Sequence, residues 1–476
     1  MLIRQADLEV PIDNPFQNDA LNRKELEPPL TQFITQASGP LVLALDGSWG
    51  SGKTTFLKMW QVKLKEAEHA CLYLNAWKTD FAQEPLVAVV GELSTAIESF
   101  APTGQKGDVL RKQIKKARQI AESIAKRSIP VGVKLATLGI LDTQDLTEKI
   151  ISDFASEIVE DRIKDYEQGK TEIEEFRKSF QSLSKEVSKL KSDTLAKVVV
   201  IIDELDRCRP IYAVQLLERI KHLFDVPGVV FILGIDRSQL NHSIKALYGT
   251  DFDAQGYLRR FIDLDYRLPE PKAGDYCSYL FERFGINQLM AKRKTQDRQG
   301  ELHRLKSFLG CFMSSAGMSL RAQEQTVSRL RIVLQTIPTN HFLFEVTLSM
   351  FLFLREWDHD VYKSLNEGKI DFETITAYIE GLPRINEVLK ESDKDLIEAF
   401  LLTGLAELGI ISTRLENYQK LVESDSDDPN LNKAQEILRL IGYIQSRNHG
   451  GPGFEYTAQR LALTSSFVSY DDESNS

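Results

Sequence analysis

Cysteine is scarce in this chain, with four in 476 residues. Cys71, Cys208, Cys277 and Cys311 are too scattered for a CxxC metal or redox pair and too few for a disulfide framework. The seven histidines form no ligand-spaced cluster, so no transition-metal site is predicted. No apolar run approaches the ~20 residues that cross a bilayer. The opening Met1-Leu2-Ile3-Arg4-Gln5-Ala6-Asp7 also lacks the apolar core of a signal peptide. Basic excess is missing too: 59 Lys and Arg stand against 69 Asp and Glu, a net charge of −10. That balance argues against a surface generally coated by nucleic acid, although local basic patches remain. These absences fit an enzyme of a reducing cytoplasm, and the length calls for two or three domains.

Glycine is concentrated at one place. Residues Gly47-Ser48-Trp49-Gly50-Ser51-Gly52-Lys53-Thr54 follow the apolar run Leu41-Val42-Leu43-Ala44-Leu45. This is the G-x-x-x-x-G-K-[ST] pattern in its proper setting, a strand that turns through glycines into a helix. Without β-carbons, successive backbone N–H groups can converge on phosphate oxygens. Lys53 then reaches the β- and γ-phosphates, the Thr54 hydroxyl takes a place on Mg²⁺, and Thr55 follows in the first helical turn. The pattern predicts binding of a nucleoside triphosphate.

Such a site also needs carboxylates. Val198-Val199-Val200-Ile201-Ile202 reads as a strand buried on both faces of a parallel sheet, and it ends in Asp203-Glu204-Leu205-Asp206. Asp203 is placed to hold Mg²⁺ through its water shell. Glu204 is placed to accept a proton from an attacking water or to orient it. Taken alone, the acidic pair could instead cap the next helix. A third buried strand, Val229 to Ile235, ends in Asp236-Arg237, where a polar group could sense the γ-phosphate through water or through Arg237. Tyr257-Leu258-Arg259-Arg260-Phe261 precedes an edge strand, Asp263-Leu264-Asp265-Tyr266, stopped by Pro269. Arg259 or Arg260 is either an arginine finger for the transferring phosphoryl group or a surface arginine near a helix end.

The organisation is unusual in one respect, since 150 residues separate Lys53 from Asp203. A strand at Cys71-Leu72-Tyr73-Leu74, the sequence Asn75-Ala76-Trp77 and a helix from Pro85 to about Ser99 continue the sheet domain. Residues 102–195 then read as a helical insertion. Its first part, Lys106 to Arg127, is strongly basic, and its second, Ile129 to Leu141, is apolar but short. The third, residues 158–195, is a long charged helix with Ile173, Phe176, Phe180, Leu183, Val187 and Leu190 in a stripe. Such a stripe packs on its own core or forms an intermolecular coiled coil. The basic segment is open to three readings: a solvated or partner-facing helix, an anionic membrane surface touched through residues 106–141, or nucleic acid. The predicted division is therefore 1–101 and 196–270 for the sheet domain and 102–195 for the insertion. A helical domain at 271–465 and a disordered acidic tail at 466–476 complete it, with a flexible turn at His449-Gly450-Gly451-Pro452-Gly453.

These marks resemble the KAP P-loop NTPases, a branch of the Glu-assisted P-loop ATPases that includes a neuronal scaffold protein and a plasmid phage-exclusion protein. The matching residues are Leu21-Asn22-Arg23, residues 47–55, Leu74-Asn75-Ala76-Trp77 and Asp203-Glu204-Leu205-Asp206-Arg207-Cys208. Gly234-Ile235-Asp236-Arg237, Tyr257-Leu258-Arg259-Arg260 and Leu268-Pro269 continue the series. The resemblance implies an α/β fold: a central parallel sheet with an extra strand between the Walker A and Walker B strands, and a helical region behind it. It implies ATP with Mg²⁺ as the ligand, ATPase activity, and nucleotide state coupled to assembly. It adds Asn22 and Arg23 to the candidate nucleotide-binding residues. Met318-Ser319-Leu320-Arg321 resembles the stretch where related ATPases place an arginine before a helix, so Arg321 either reaches the nucleotide or is an exposed helix-start residue. Family members often carry transmembrane helices where this chain has residues 102–195, and no segment here qualifies as a span. The function so implied is an assembly or signalling switch acting with copies of itself and a protein effector, in defence against phage or plasmids. A DNA-stimulated motor and a nucleotide-bound scaffold with little turnover are the alternatives.

Overall fold

Five short strands carry the sheet: β1 Leu41–Asp46, β2 Ala70–Asn75, β3 Val198–Asp203, β4 Val229–Ile235 and β5 Leu264–Arg267. All four neighbouring pairs are parallel, in the order β2-β3-β4-β1-β5. β4 therefore lies between the strand that leads into the glycine loop and the strand that ends in Asp203, the extra-strand arrangement that the resemblance implied. The computed structural model describes residues 10–82, 85–127, 148–189, 196–269, 275–407, 412–424, 428–447 and 454–463.

Period-two alternation divides these strands between two cores. Val42, Ala44, Leu72, Val200, Ile202 and Phe231 face one side. Leu43, Leu45, Cys71, Val199, Ile201 and Ile232 face the other. Both faces are apolar because both are covered by helices, which is why the strands read as unbroken β-branched runs. The helix Lys53–Glu66 covers the second side with Phe56, Leu57 and Trp60.

The helix Pro85–Phe100 covers the first side, and the two helices of the predicted insertion join it there. In Gln105–Arg127, Leu110, Ile114, Ala117, Ile120, Ala121 and Ile124 point inward while Lys112, Lys115, Lys116 and Arg118 stay exposed. In Glu148–Ser188, the stripe residues Phe176, Phe180, Leu183 and Val187 are buried in the same core as the strands. The stripe thus packs on its own chain. Residues 129–141, Leu190, the turn expected at 449–453, the tail expected at 466–476 and residues 1–7 lie outside the described residues.

The chain divides into two compact units between Pro269 and Glu270. Among the described residues of the second unit, every regular element is helical. Its helix Glu345–Trp357 is buried from Glu345 to Leu354, and the Glu345 carboxylate is paired with Arg304, which also donates to Asp297 at 2.8 Å. Among the described residues of the chain, no helix is long and apolar enough to cross a membrane.

Phe180 is fully buried, with its ring 4.9 Å from that of Phe176. Phe180→Ala is expected to cost about 3–5 kcal/mol. A thermal melt should show the main transition of the sheet unit moving down as a whole. A separate early transition with the main one unmoved would mean that the insertion folds by itself.

Candidate functional site

Beyond Asp46 the backbone turns through Gly50 at φ 73° and Gly52 at φ 84°, conformations that a β-carbon disfavours. Gly47 N–H donates to the Ile235 carbonyl at 3.2 Å, and Ser51 N–H donates to the Ser48 carbonyl at 3.1 Å. The helix Lys53–Glu66 starts directly after Gly52, so its unpaired N–H groups and the positive end of its dipole face the loop. A β-carbon on Gly47 would sit 2.8 Å from Ser51 Oγ and 3.5 Å from Lys53 Cγ. A side chain on Gly47 would therefore have to displace the Ser51 hydroxyl. Ser51 Oγ is itself buried with no hydrogen-bond partner, while Ser48 is exposed. Lys53 is only 8% exposed, and its ammonium donates to the carbonyls of Gly47 and Ser48.

Arg23 braces the loop from behind. It follows Asn22, which holds φ 53°, and its guanidinium donates to the Ser51 carbonyl at 2.9 Å. The other terminal nitrogen of Arg23 is buried and has no hydrogen-bond partner. Burial lowers this guanidinium to about 10, against the pull of Asp19 and Tyr266.

Four carboxylates converge on Lys53. Burial pushes its ammonium down from the usual lysine value, while Asp206, Asp236, Asp203 and Asp46 pull it back up. Asp203 is almost wholly buried, which raises its carboxyl. Hydrogen bonds oppose that rise: Tyr73 Oη donates to Asp203 at 2.6 Å and Glu204 N–H donates at 2.9 Å, and the nearby Thr54 hydroxyl also lowers it. The two groups predicted to meet Mg²⁺, the Thr54 hydroxyl and the Asp203 carboxylate, therefore lie near one another. A hydroxyl and a carboxylate beside a loop of N–H donors suit a hard cation that keeps several waters and takes further oxygens from phosphate. The room for Asp203 comes from Gly234, its register partner on β4, where a β-carbon would stand 2.7 Å from Asp203 Oδ1 and 2.5 Å from Leu57 Cδ1.

Glu204 is the first residue beyond β3 and holds φ 60°. Asn75 Nδ2 donates to its Oε2 at 2.7 Å, and Arg207 pairs with its Oε1 at 3.1 Å. The Trp49 indole donates to Asp206, tying the glycine loop to the turn Leu205–Arg207.

Asp236, read as sensing the γ-phosphate through water or through Arg237, also holds backbone. Its Oδ1 accepts from Ser238 N–H at 3.1 Å and Gln239 N–H at 3.3 Å, capping the helix Arg237–Tyr248, and its Oδ2 accepts from Trp49 N–H at 3.1 Å. Both oxygens are committed to holding the backbone, so Asp236 braces the loop. Arg237 N–H donates to Asp46 at 3.0 Å, and its guanidinium pairs with Asp265 on β5.

Arg259 and Arg260 are exposed at the end of the short helix Ala254–Leu258. Asp263 N–H donates to the Val42 carbonyl at 3.0 Å and Asp263 Oδ2 accepts from Val42 N–H at 2.8 Å, which sets this segment level with the start of β1. The glycine loop begins five residues further along β1, about 16 Å away at ~3.3 Å per residue. These arginines thus stand at the opposite edge of the sheet from their own loop. Arg321 belongs to the second unit, exposed in the first turn of Leu320–Thr336, where Ser319 Oγ accepts from Ala322 N–H at 3.3 Å. The site also contains residues that the motif reading left without a role there: Tyr73, Asn75, Asp206, Arg207 and Gly234. Asn75 and Gly234 are the register partners of Asp203 on its two flanking strands. A polar residue or a glycine ending an apolar strand was the available signal.

Gly234→Ala should displace Asp203 and weaken the Mg²⁺-dependent part of nucleotide affinity by about tenfold. Titration of a fluorescent ATP analogue, with Mg²⁺ and with a chelator, measures this. Equal affinities for variant and wild type under both conditions would remove Asp203 from the ion.

Residues 29–441 match the model of the KAP family P-loop domain. The chain is 24% identical over 248 residues to the "Phage T7 exclusion protein" of Escherichia coli strain K12, a match covering 49% of this chain and 31% of that protein. A solved structure titled "Structure of the Aeropyrum Pernix ORC2 protein (ADPNP-ADP complexes)" aligns over 98% of both chains at 12% identity with a TM-score of 0.31, too low to carry an assignment.

Proposed function

Because the chain belongs to the KAP family of P-loop domain proteins, we propose that it binds Mg-ATP at residues 47–55 and hydrolyses it. The observation that carries this reading is the convergence of the glycine loop, the buried Lys53 and the buried Asp203 at the ends of β1 and β3, with Glu204 one residue beyond. Loop N–H groups and Lys53 would hold the phosphate oxygens, and Thr54 and Asp203 would hold Mg²⁺, which spreads and neutralises phosphate charge when bound. Glu204 would take the proton of a water whose oxygen attacks the γ-phosphorus as the bond to the β-phosphate oxygen breaks, leaving ADP and inorganic phosphate. Asn22 and Arg23 would support the loop, and Arg23's unpartnered nitrogen favours a polar ligand nearby.

The use of that cycle is read as a switch of assembly or signalling in the cytoplasm, in which ATP binding favours association with further copies or an effector. Two observations support it. The arginines at 259 and 260 are exposed and lead into a segment level with the start of β1, as fingers offered to a neighbouring copy would be. The relative named for phage exclusion suggests defence against phage as the setting, although the match spans 31% of that protein. A DNA-stimulated motor is favoured only by the exposed Lys112, Lys115, Lys116 and Arg118 on one helix.

Glu204→Gln is expected to keep ATP affinity and lose turnover by about a hundredfold or more, while Lys53→Ala loses binding by about tenfold or more. Unchanged turnover in Glu204→Gln would assign the base elsewhere. Mass in solution with Mg-ATP should rise, and Arg259→Ala or Arg260→Ala should cut turnover only in that assembled form. A mass indifferent to nucleotide would favour the scaffold, and a rate raised by DNA would favour the motor.

A further inference from the structure

Packing on β2 does not call for a hydroxyl at position 73, yet Tyr73 carries one beside the site. Its ring shares a face with Cys71 and packs, partly buried, against the core that holds Val199 and Ile201. A phenylalanine would serve that core equally well. The position of the hydroxyl supplies the reason for it. Tyr73 is in register with Ile201, and Asp203 lies two residues further along β3 on the same face. At ~4.8 Å between strands and ~3.3 Å per residue, the two Cα atoms stand about 8 Å apart on a diagonal that a long aromatic side chain spans. Tyr73 Oη donates to Asp203 Oδ2 at 2.6 Å.

The Asp203 carboxylate is thereby held at both oxygens. Oδ2 takes the phenol, Oδ1 takes Glu204 N–H at 2.9 Å, and Oδ1 fills the space that Gly234 leaves open on β4. The side chain is almost wholly buried, so it has no room to swing outward. Such a grip bears on which cation suits the site. Ca²⁺ takes many oxygens in a flexible shell and often both oxygens of one carboxylate, whereas Mg²⁺ is smaller, keeps several waters and takes few protein oxygens in a strict geometry. A carboxylate that cannot turn to wrap an ion favours the second kind. The Glu204 amide belongs to the backbone, so the phenol is the part of the grip that a side-chain change can remove alone.

We propose that Tyr73 is a positioning residue that pins Asp203 and so sets the preference of the nucleotide site for Mg²⁺ over Ca²⁺. The proposal rests on Asp203 and Thr54 being the protein groups that meet the ion. Tyr73 acts through Asp203 and not on the phosphate itself.

The test is titration of a fluorescent ATP analogue with Mg²⁺, with Ca²⁺ and with a chelator, for wild type, Tyr73→Phe and Tyr73→Leu, each checked by a thermal melt. In wild type the gain in affinity from Mg²⁺ should exceed the gain from Ca²⁺. Tyr73→Phe should cut the Mg²⁺ gain by about tenfold and the Ca²⁺ gain by less, so that their ratio falls about threefold or more. Affinity in chelator should not change, because the loop amides and Lys53 are untouched. Tyr73→Leu also loses ring packing, so it should melt earlier and show the same fall in ratio, which separates the pin from the core. Wild-type gains that are equal for the two ions, or a ratio left unchanged in the folded variants, overturn the pin alone. Wild-type affinity that is the same with either ion as with chelator removes Asp203 and Thr54 from the ion, and the pin falls with that reading.

Discussion

Gathering four carboxylates, three of them buried, around one ammonium at the edge of a parallel sheet is the constraint from which the rest of the first unit follows. Left without donors, such a cluster would be costly, so each acid is engaged by fixed N–H or O–H groups. Asp46 takes the Arg237 amide, Asp203 takes Tyr73 and the Glu204 amide, Asp206 takes the Trp49 indole, and Asp236 takes three backbone amides. Hydrogen bonding satisfies lone pairs without cancelling charge. The edge stays net negative, and a polyphosphate can approach it only with a cation and with the N–H groups of the loop and helix start. On the proposed reading, that is why the loop is positioned by the same acids that would repel its ligand.

The parts of this site that one segment builds were legible in the sequence, and those built by register were not. The glycine loop declares itself because its conformations demand glycine and its lysine follows at once. The three central strands declare themselves because double burial removes every polar residue. Asn75 and Gly234 flank Asp203 only after β2, β3 and β4 are laid side by side, and they lie far from it along the chain. Asp236 was legible as a polar group at a strand tip, read as reaching a phosphate through water or through Arg237; its second role, capping the helix that follows, belongs to the orphan amides of that helix.

Arg259 and Arg260 were placed by a topological fact that a parallel β5 already contains. Residues just ahead of a strand parallel to β1 stand at the edge where β1 begins, while the loop stands where β1 ends. The insertion was legible as helices, and less so as part of the core. Its apolar stripe matches a coiled coil as well as an intramolecular face, and only the neighbouring helices decide between them. Those helices bury Phe176 and Phe180 with the strands.

A continuous set of short contacts runs from the glycine loop to the exposed turn at Trp77. Trp49 meets Asp206, Asp206 lies in the same tight turn as Arg207, Arg207 pairs with Glu204, and Arg207 also covers Trp77. Trp49 is itself held by the Asp236 cap through its backbone. A ligand that moves the loop by a fraction of an ångström must strain the Trp49–Asp206 bond or carry the Leu205–Arg207 turn with it, because both ends are braced. The turn holds Glu204 by its ion pair, so loop position and carboxylate position are mechanically linked within one subunit.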